Sequence, residues 1–163
     1  MSNKYEKEVL ERWGSTDACR EHERKTKDYT KEKWGESKDG LMTIFAELAK
    51  CKNAGLTSNA PKVQTLVVEL QSFITKNYYA CTEEILAGLG KMYVCDERFK
   101  KNIDKCGEGT AEFASEAISY FIKLKQWINH LINHLISNQY MRHFLGFHTG
   151  RSSRTEILQK WLE

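Results

Sequence analysis

The stretch "YYACTEEILAGLGKMYVCDERF" (78–99) places a thiol, Cys81, behind two tyrosines and just ahead of a segment with helical spacing. A thiolate is the nucleophilic form of cysteine, and it is favoured where the sulfur sits at a helix N-terminus. Thr82 reads as the cap of the following helix, with Glu83 and Glu84 in its first turn, so Cys81 directly precedes such a terminus. Tyr78 and Tyr79 would give a ligand π-faces beside the thiol. Two uses are open: a nucleophile in an aromatic cleft, or a small apolar side chain packed in the core, the commoner fate of free cysteine. Turnover needs a base to regenerate the nucleophile. His22 is the one histidine before Leu124, in a weakly apolar segment, so a Cys/His dyad is not expected. A thiol that reacts once and stays bonded needs no such base.

The other candidates are weaker. His130 and His134 stand four residues apart, which can put two metal ligands on one helix face. No HExxH pattern and no nearby acid or cysteine completes the set, so two solvated histidines are the expectation. A haem or metal protein would need a ligand histidine facing the core. Cys51, Cys95 and Cys106 lie on or just beyond apolar helical stretches and are expected to pack. Five cysteines, an odd number without a CxxC pair and without a leading apolar segment, point to reduced thiols and a cytoplasmic chain. There is no phosphate loop, dinucleotide fingerprint or zinc-finger spacing. A net charge of +3, with basic and acidic residues interleaved, is too mild to indicate nucleic acid. No run of 18 apolar residues offers a membrane span.

The elements that must position these residues are helical. The chain has 163 residues and one proline, Pro61, which suits long helices and a single core. The first forty residues carry a thin apolar stripe (Tyr5, Val9, Leu10, Trp13, Ala18, Tyr29, Trp34) interrupted by Gly14, Gly35 and Gly40. Short helices near 3–13 and 16–28 are predicted, with a longer one after the cap Thr30. Leu41, Ile44, Phe45, Leu48 and Ala49 then make one strong face, ended at Gly55. Pro61 starts a helix bearing Val63, Leu66, Val67, Leu70, Phe73, Ile74 and Tyr78. Ile85, Leu86, Leu89, Met92 and Tyr93 form the next stripe, interrupted by Gly88 and Gly90, which mark a close helix crossing. Asp96 caps a short helix with Phe99 and Ile103. Phe113, Ala117, Tyr120, Phe121 and Leu124 begin a last core helix. The composition changes after about Leu124, where four of the five histidines lie. No alternating strand pattern occurs, so the fold class is all-α.

With these residues in place a resemblance emerges. "LQSFITKNYYACTEEILAGLGKMYVCDERFKKNIDKCGEGTAEFASEAISYF" (70–121) and "YEKEVLERWGSTDACREHERKTKDYTKEKW" (5–34) resemble the TipAS antibiotic-recognition domain, over roughly 4–122. The motifs "RWG-T-A", "YY-CT", "GLG-MYV-D-RF" and "A-EAI-Y" carry the similarity. It implies an all-α, globin-like helical bundle without haem, closed by a mobile N-terminal helical lid. The organisation implied is a lid over 1–40, a core over 41–123, and a helical extension over 124–163 that matches nothing in the family.

Such domains usually form the C-terminal half of MerR-type transcriptional activators, and can stand alone. They bind bulky, largely apolar thiopeptide antibiotics, and a cysteine can add to a dehydroalanine of the drug. On this resemblance Cys81 is the covalent attachment point. Tyr78, Tyr79, Leu89, Met92 and Tyr93 line the cleft, and Trp13, Tyr29 and Trp34 belong to the lid. Gln71 stands near where relatives commonly carry a histidine. The resemblance implies a binding protein rather than an enzyme, with no cofactor and no metal. The partner implied is a thiopeptide or another bulky apolar antibiotic, with no membrane and no direct DNA contact by this chain. The amphipathic extension is expected to offer a surface for a homodimer. An antibiotic-sequestering protein without regulatory output is the alternative.

Overall fold

The computed structural model describes residues 14–137. Among them all regular structure is helical. Helix α1 spans Asp17–Thr26, α2 Lys31–Asn53, α3 Pro61–Asn77, α4 Glu83–Cys95 and α5 Glu97–Ile103. A 3-10 turn, Asp104–Cys106, then leads to α6, Thr110–Ser137. The contacts divide the chain into two units at Lys123/Leu124, and α6 runs through the division. No helix among the described residues is long and apolar enough to cross a membrane.

The ends of the helices follow from local chemistry. Thr16, Thr30 and Thr82 each accept a backbone N–H three residues on, from Cys19, Lys33 and Ile85, so the first turns of α1, α2 and α4 do not lose all their orphan donors to water. Pro61 opens α3 at the position where its missing N–H costs nothing. At the end of α2, Leu56 N–H reaches back to Cys51 C=O (3.1 Å) and Gly55 N–H to Lys52 C=O (2.9 Å). That paired closure needs a left-handed residue, and Gly55 supplies it at φ +76°.

The core of the first unit lies between α2, α3, α4 and α6. Leu48, Val63, Val67, Leu70, Leu86, Ala111, Ala114 and Ala117 are fully buried there, with Phe45 set edge-on against Tyr93 at 5.4 Å. Of the expected stripe on α6, Phe113, Ala117 and Phe121 are buried, together with Ala114, Ile118 and Ile122, whereas Tyr120 and Leu124 are exposed. The alanines let α6 lie close to its neighbours, and the larger tyrosine is left outside. Leu48→Ala should cost about 2–5 kcal/mol in urea unfolding, because the site is sealed on every side. Val68→Ala, at an exposed position on α3, should cost under about 0.5 kcal/mol.

Two expectations change. The lid boundary at residue 40 falls inside a continuous helix, since α2 runs through Gly35 and Gly40 without a break. The interior glycines cost roughly 1 kcal/mol each, but the buried face of Ile44, Phe45 and Leu48 carries the helix past them. Gly40 also has a packing reason: a Cβ there would stand 2.7 Å from the Phe73 ring, so α2 and α3 meet through the missing side chain. The second change concerns the paired glycines of α4. Gly90 faces Ile118 of α6, where an added Cβ would sit at 3.1 Å. A Cβ added at Gly88 would meet no side chain or neighbouring helix within 4 Å among the described residues, so only one of the two marks a crossing.

Candidate functional site

The turn between α3 and α4 carries Tyr78 to Thr82, and α1 docks on it. Helix α1 buries no residue fully, so what holds it in place is polar and aromatic rather than apolar bulk. Lys25 Nζ donates to Thr75 C=O at 2.6 Å, and the Tyr29 hydroxyl donates to Asn77 C=O at 2.8 Å. Both acceptors belong to the last turn of α3, where helical carbonyls lack partners. The cation also meets the negative end of the helix dipole. Glu21 Oε2 accepts the Ala80 N–H at 2.7 Å, and Glu21 pairs with Lys25 at 3.0 Å. These bonds hold the Glu21 carboxyl below its usual range, with the Ala80 N–H as the largest cause.

The rings of three segments meet above this frame. Trp34 of α2 stands edge-on to Tyr29 at 5.3 Å. His22 of α1 stacks on Tyr78 at 6.1 Å and lies 6.0 Å from Trp34 and 6.3 Å from Tyr79. Phe73 meets Tyr78 edge-on at 6.5 Å. Tyr29, Trp34, Tyr78 and Tyr79, chosen from the sequence, therefore do come together. His22, Phe73 and the Glu21–Lys25 pair were missed. The polar lid pattern gave no sign of His22, Glu21 and Lys25, because their partners Tyr78, Ala80 and Thr75 lie fifty or more residues away, and Phe73 read simply as part of the core stripe of α3.

Cys81 sits under this cluster and is buried, at 5% exposure. Its N–H donates to Thr75 Oγ1 at 3.1 Å, and its C=O accepts from Gln71 Nε2 at 2.8 Å. Gln71 thus holds the backbone of the thiol-bearing residue, a role its sequence neighbourhood did not suggest. Of the two uses left open by the sequence, the structure shows the packed one in the resting domain: burial pushes the Cys81 thiol up to about 11. The cause is desolvation, which disfavours the charged form. The neighbouring Tyr79 phenol is pushed up to about 12 by burial first and by Cys81 second, and Tyr93 is raised in the same way.

The remaining candidates separate. Tyr93 is a core residue at 4% exposure, wedged between Phe45 and Phe99, so it does not line an open surface. Its ring falls on the inner side of α4 because its neighbours in the stripe, Leu86 and Gly90, face inward too. Leu89 and Met92 are half-buried against the core. Trp13 lies outside the described residues. Cys51 is buried as expected, Cys106 is half-buried with its Sγ donating to Met42 C=O at 3.7 Å, and Cys95 is exposed, contrary to expectation. His130 and His134 are exposed on α6, and no group of three metal-ligating side chains occurs among the described residues.

Burial lowers the pKa of His22 from its ordinary 6.5, with Glu23 opposing weakly. The folded form therefore binds fewer protons than the unfolded one. The stabilisation is complete above pH 6.5 and is lost as the pH falls through the depressed folded value. Protection of α1 amides, corrected for intrinsic exchange, should fall between pH 7 and pH 5. In His22→Phe that dependence should flatten; an unchanged slope would place the titrating group elsewhere.

Comparison with known proteins fits this geometry. The TipAS antibiotic-recognition domain matches residues 5–121. The HTH-type transcriptional activator TipA of Streptomyces coelicolor is 37% identical over 116 residues, covering 71% of this chain and 46% of the activator. The HTH-type transcriptional activator mta of Bacillus subtilis is 32% identical over 114 residues, covering 70% of this chain and 43% of that protein. The chain thus spans less than half the length of these curated relatives. A solved structure of TipAS from Streptomyces lividans in complex with nosiheptide, from a thiopeptide antibiotic multidrug resistance system, superposes with a TM-score of 0.69 at 36% identity, over 74% of this chain and 85% of that one. From the helical bundle, from the aromatic turn that carries its cysteine, and from these matches, the chain belongs to the TipAS antibiotic-recognition domain family.

Proposed function

We propose that this chain is the ligand-sensing domain of a MerR-type transcriptional activator in the cytoplasm, and that its ligand is a thiopeptide or another bulky, largely apolar antibiotic. The observation that carries the reading is the buried Cys81 beneath a wall of Tyr78, Tyr79 and Trp34, closed by a helix that buries nothing fully. A lid of that kind can leave without dismantling the core. The nosiheptide complex of the Streptomyces lividans relative supports the ligand class. Aromatic faces and the half-buried Leu89 and Met92 provide apolar contact, the usual source of affinity in such sites.

Cys81 captures the ligand by conjugate addition. Its sulfur bonds to the β-carbon of a dehydroalanine, the carbon–carbon π-bond is used, and a proton goes to the α-carbon. Nothing leaves, so no turnover base is needed and the protein is not an enzyme. Promoter contact belongs to a part of the relatives that this chain does not match.

Calorimetric titration with nosiheptide tests the reading: one site per chain is expected, with a negative heat-capacity change from apolar burial. Absence of heat and of any mass change at ligand excess would end it. The exposed Leu124, Trp127, Ile128 and Leu131 on α6 support a homodimer through the extension. A Trp127→Glu, Leu131→Glu variant should sediment as a monomer where the parent chain does not; identical sedimentation of the two would remove the dimer from the proposal.

A further inference from the structure

The contacts of α1 and those of Cys81 share one short hydrogen-bond frame. Thr75 is its centre. Its carbonyl accepts from Lys25 at 2.6 Å, and its Oγ1 accepts the Cys81 N–H at 3.1 Å. One residue before the thiol, the Ala80 N–H donates to Glu21 at 2.7 Å. Gln71 closes the frame on the Cys81 carbonyl at 2.8 Å. Glu21 and Lys25 lie one turn apart on α1 and bond to each other at 3.0 Å, each with about a quarter of its side chain exposed. A partly shielded pair of this kind, charged at both ends and bonded to backbone, is stronger than an ordinary surface ion pair. The 78–81 connection has few other backbone partners: Tyr78 and Tyr79 N–H both share the Ile74 carbonyl, and the Ala80 carbonyl accepts the Thr82 N–H.

We propose that Glu21 and Lys25 are positioning residues for the Cys81 thiol: they set the place of the 80–81 backbone, and with it how far the sulfur is open to an electrophile. With the clamp formed, the thiol is buried between α3, α4 and the turn. When α1 lifts, Ala80 N–H and Thr75 C=O lose their partners together, and the segment that carries the sulfur is freed on its N-terminal side, while Thr75 Oγ1 and Gln71 still hold Cys81 from α3. Lid movement and thiol accessibility are then one event rather than two. This rests on the reading of Cys81 as the attachment residue.

The test uses iodoacetamide rather than a thiopeptide, so a chain that takes no thiopeptide and a chain whose clamp does not govern Cys81 give different results. The full chain is alkylated briefly, digested, and the modified cysteines are mapped by mass. Cys95 is exposed and serves as the reference within each molecule; Cys51 is buried and reports core opening. Glu21→Ala and Lys25→Met should each raise the Cys81 rate roughly tenfold, the scale of losing one charge-assisted hydrogen bond, with Cys95 and Cys51 unchanged. The double variant should match the faster single one, because either loss breaks the clamp. Glu21→Gln keeps an acceptor for the Ala80 N–H and should restore most of the protection. Unchanged Cys81 rates in both single variants would overturn the proposal. So would a parallel rise at Cys51, which would mean that the core had loosened rather than the clamp.

Discussion

A thiopeptide bearing a dehydroalanine should add its whole mass once to the wild-type chain and not at all to Cys81→Ala. The rate should carry the mark of a buried thiol. With the pKa pushed up to about 11, the thiolate fraction at pH 7 is on the order of one in ten thousand. Addition should therefore accelerate about tenfold for each pH unit from 7 to 10, with no plateau at the ordinary thiol value. A plateau near pH 8 would mean that the bound ligand or the protein supplies a cation to the sulfur. An undiminished adduct in Cys81→Ala would move the chemistry to another thiol, and Cys95 is the exposed one. Binding should survive the substitution in weakened form, since the rings and apolar side chains of the site remain. The separation matters: loss of adduct with retained heat of binding assigns capture to Cys81, whereas loss of both makes Cys81 a packing residue.

The second large effect is expected in hydrogen exchange. Helix α1 buries no residue fully, while α3 buries Val63, Leu66, Val67, Leu70 and Ile74. Local opening free energies follow such differences. Amides of α1 should exchange at least a hundredfold faster than those of the α3 interior in the free protein, and should approach them once a thiopeptide is bound. Trp34→Ala removes a ring that lies 5.3 Å from Tyr29, 6.0 Å from His22 and 6.4 Å from Tyr78. At about 0.5–1.5 kcal/mol for each aromatic pair, α1 protection should drop a further tenfold or more while core unfolding moves little. Equal exchange in α1 and α3, with or without drug, would show a preformed lid and remove induced closure from the mechanism.

Much of the fold was legible because its signals are local. Thr30, Thr82 and Asp96 cap helices where their side chains predict it, and Pro61 and Gly55 mark a start and a stop. The face from Val63 to Ile74 repeats at helical spacing and is the buried one. The site was legible only where type and motif coincide, as at Tyr78, Tyr79 and Trp34. His22 looked like a lone residue in a polar segment, yet it stacks on a ring 56 positions later; no pattern within one helix encodes such a partner. The state of Cys81 was left open for a related reason. The helix terminus beside it is visible in the sequence, whereas its burial is made by the whole core.

Because α2 is unbroken from Lys31 to Asn53, and its later half is sealed in the core by Ile44, Phe45 and Leu48, Trp34 is fixed to the body of the domain. Any swing of α1 must take place across Lys27 to Thr30, a pivot of four residues. The indole then acts as a stationary optical gauge. When α1 departs, His22 and Tyr29 leave its faces while Trp34 keeps its position, so a change in its emission times the opening from a residue that does not travel.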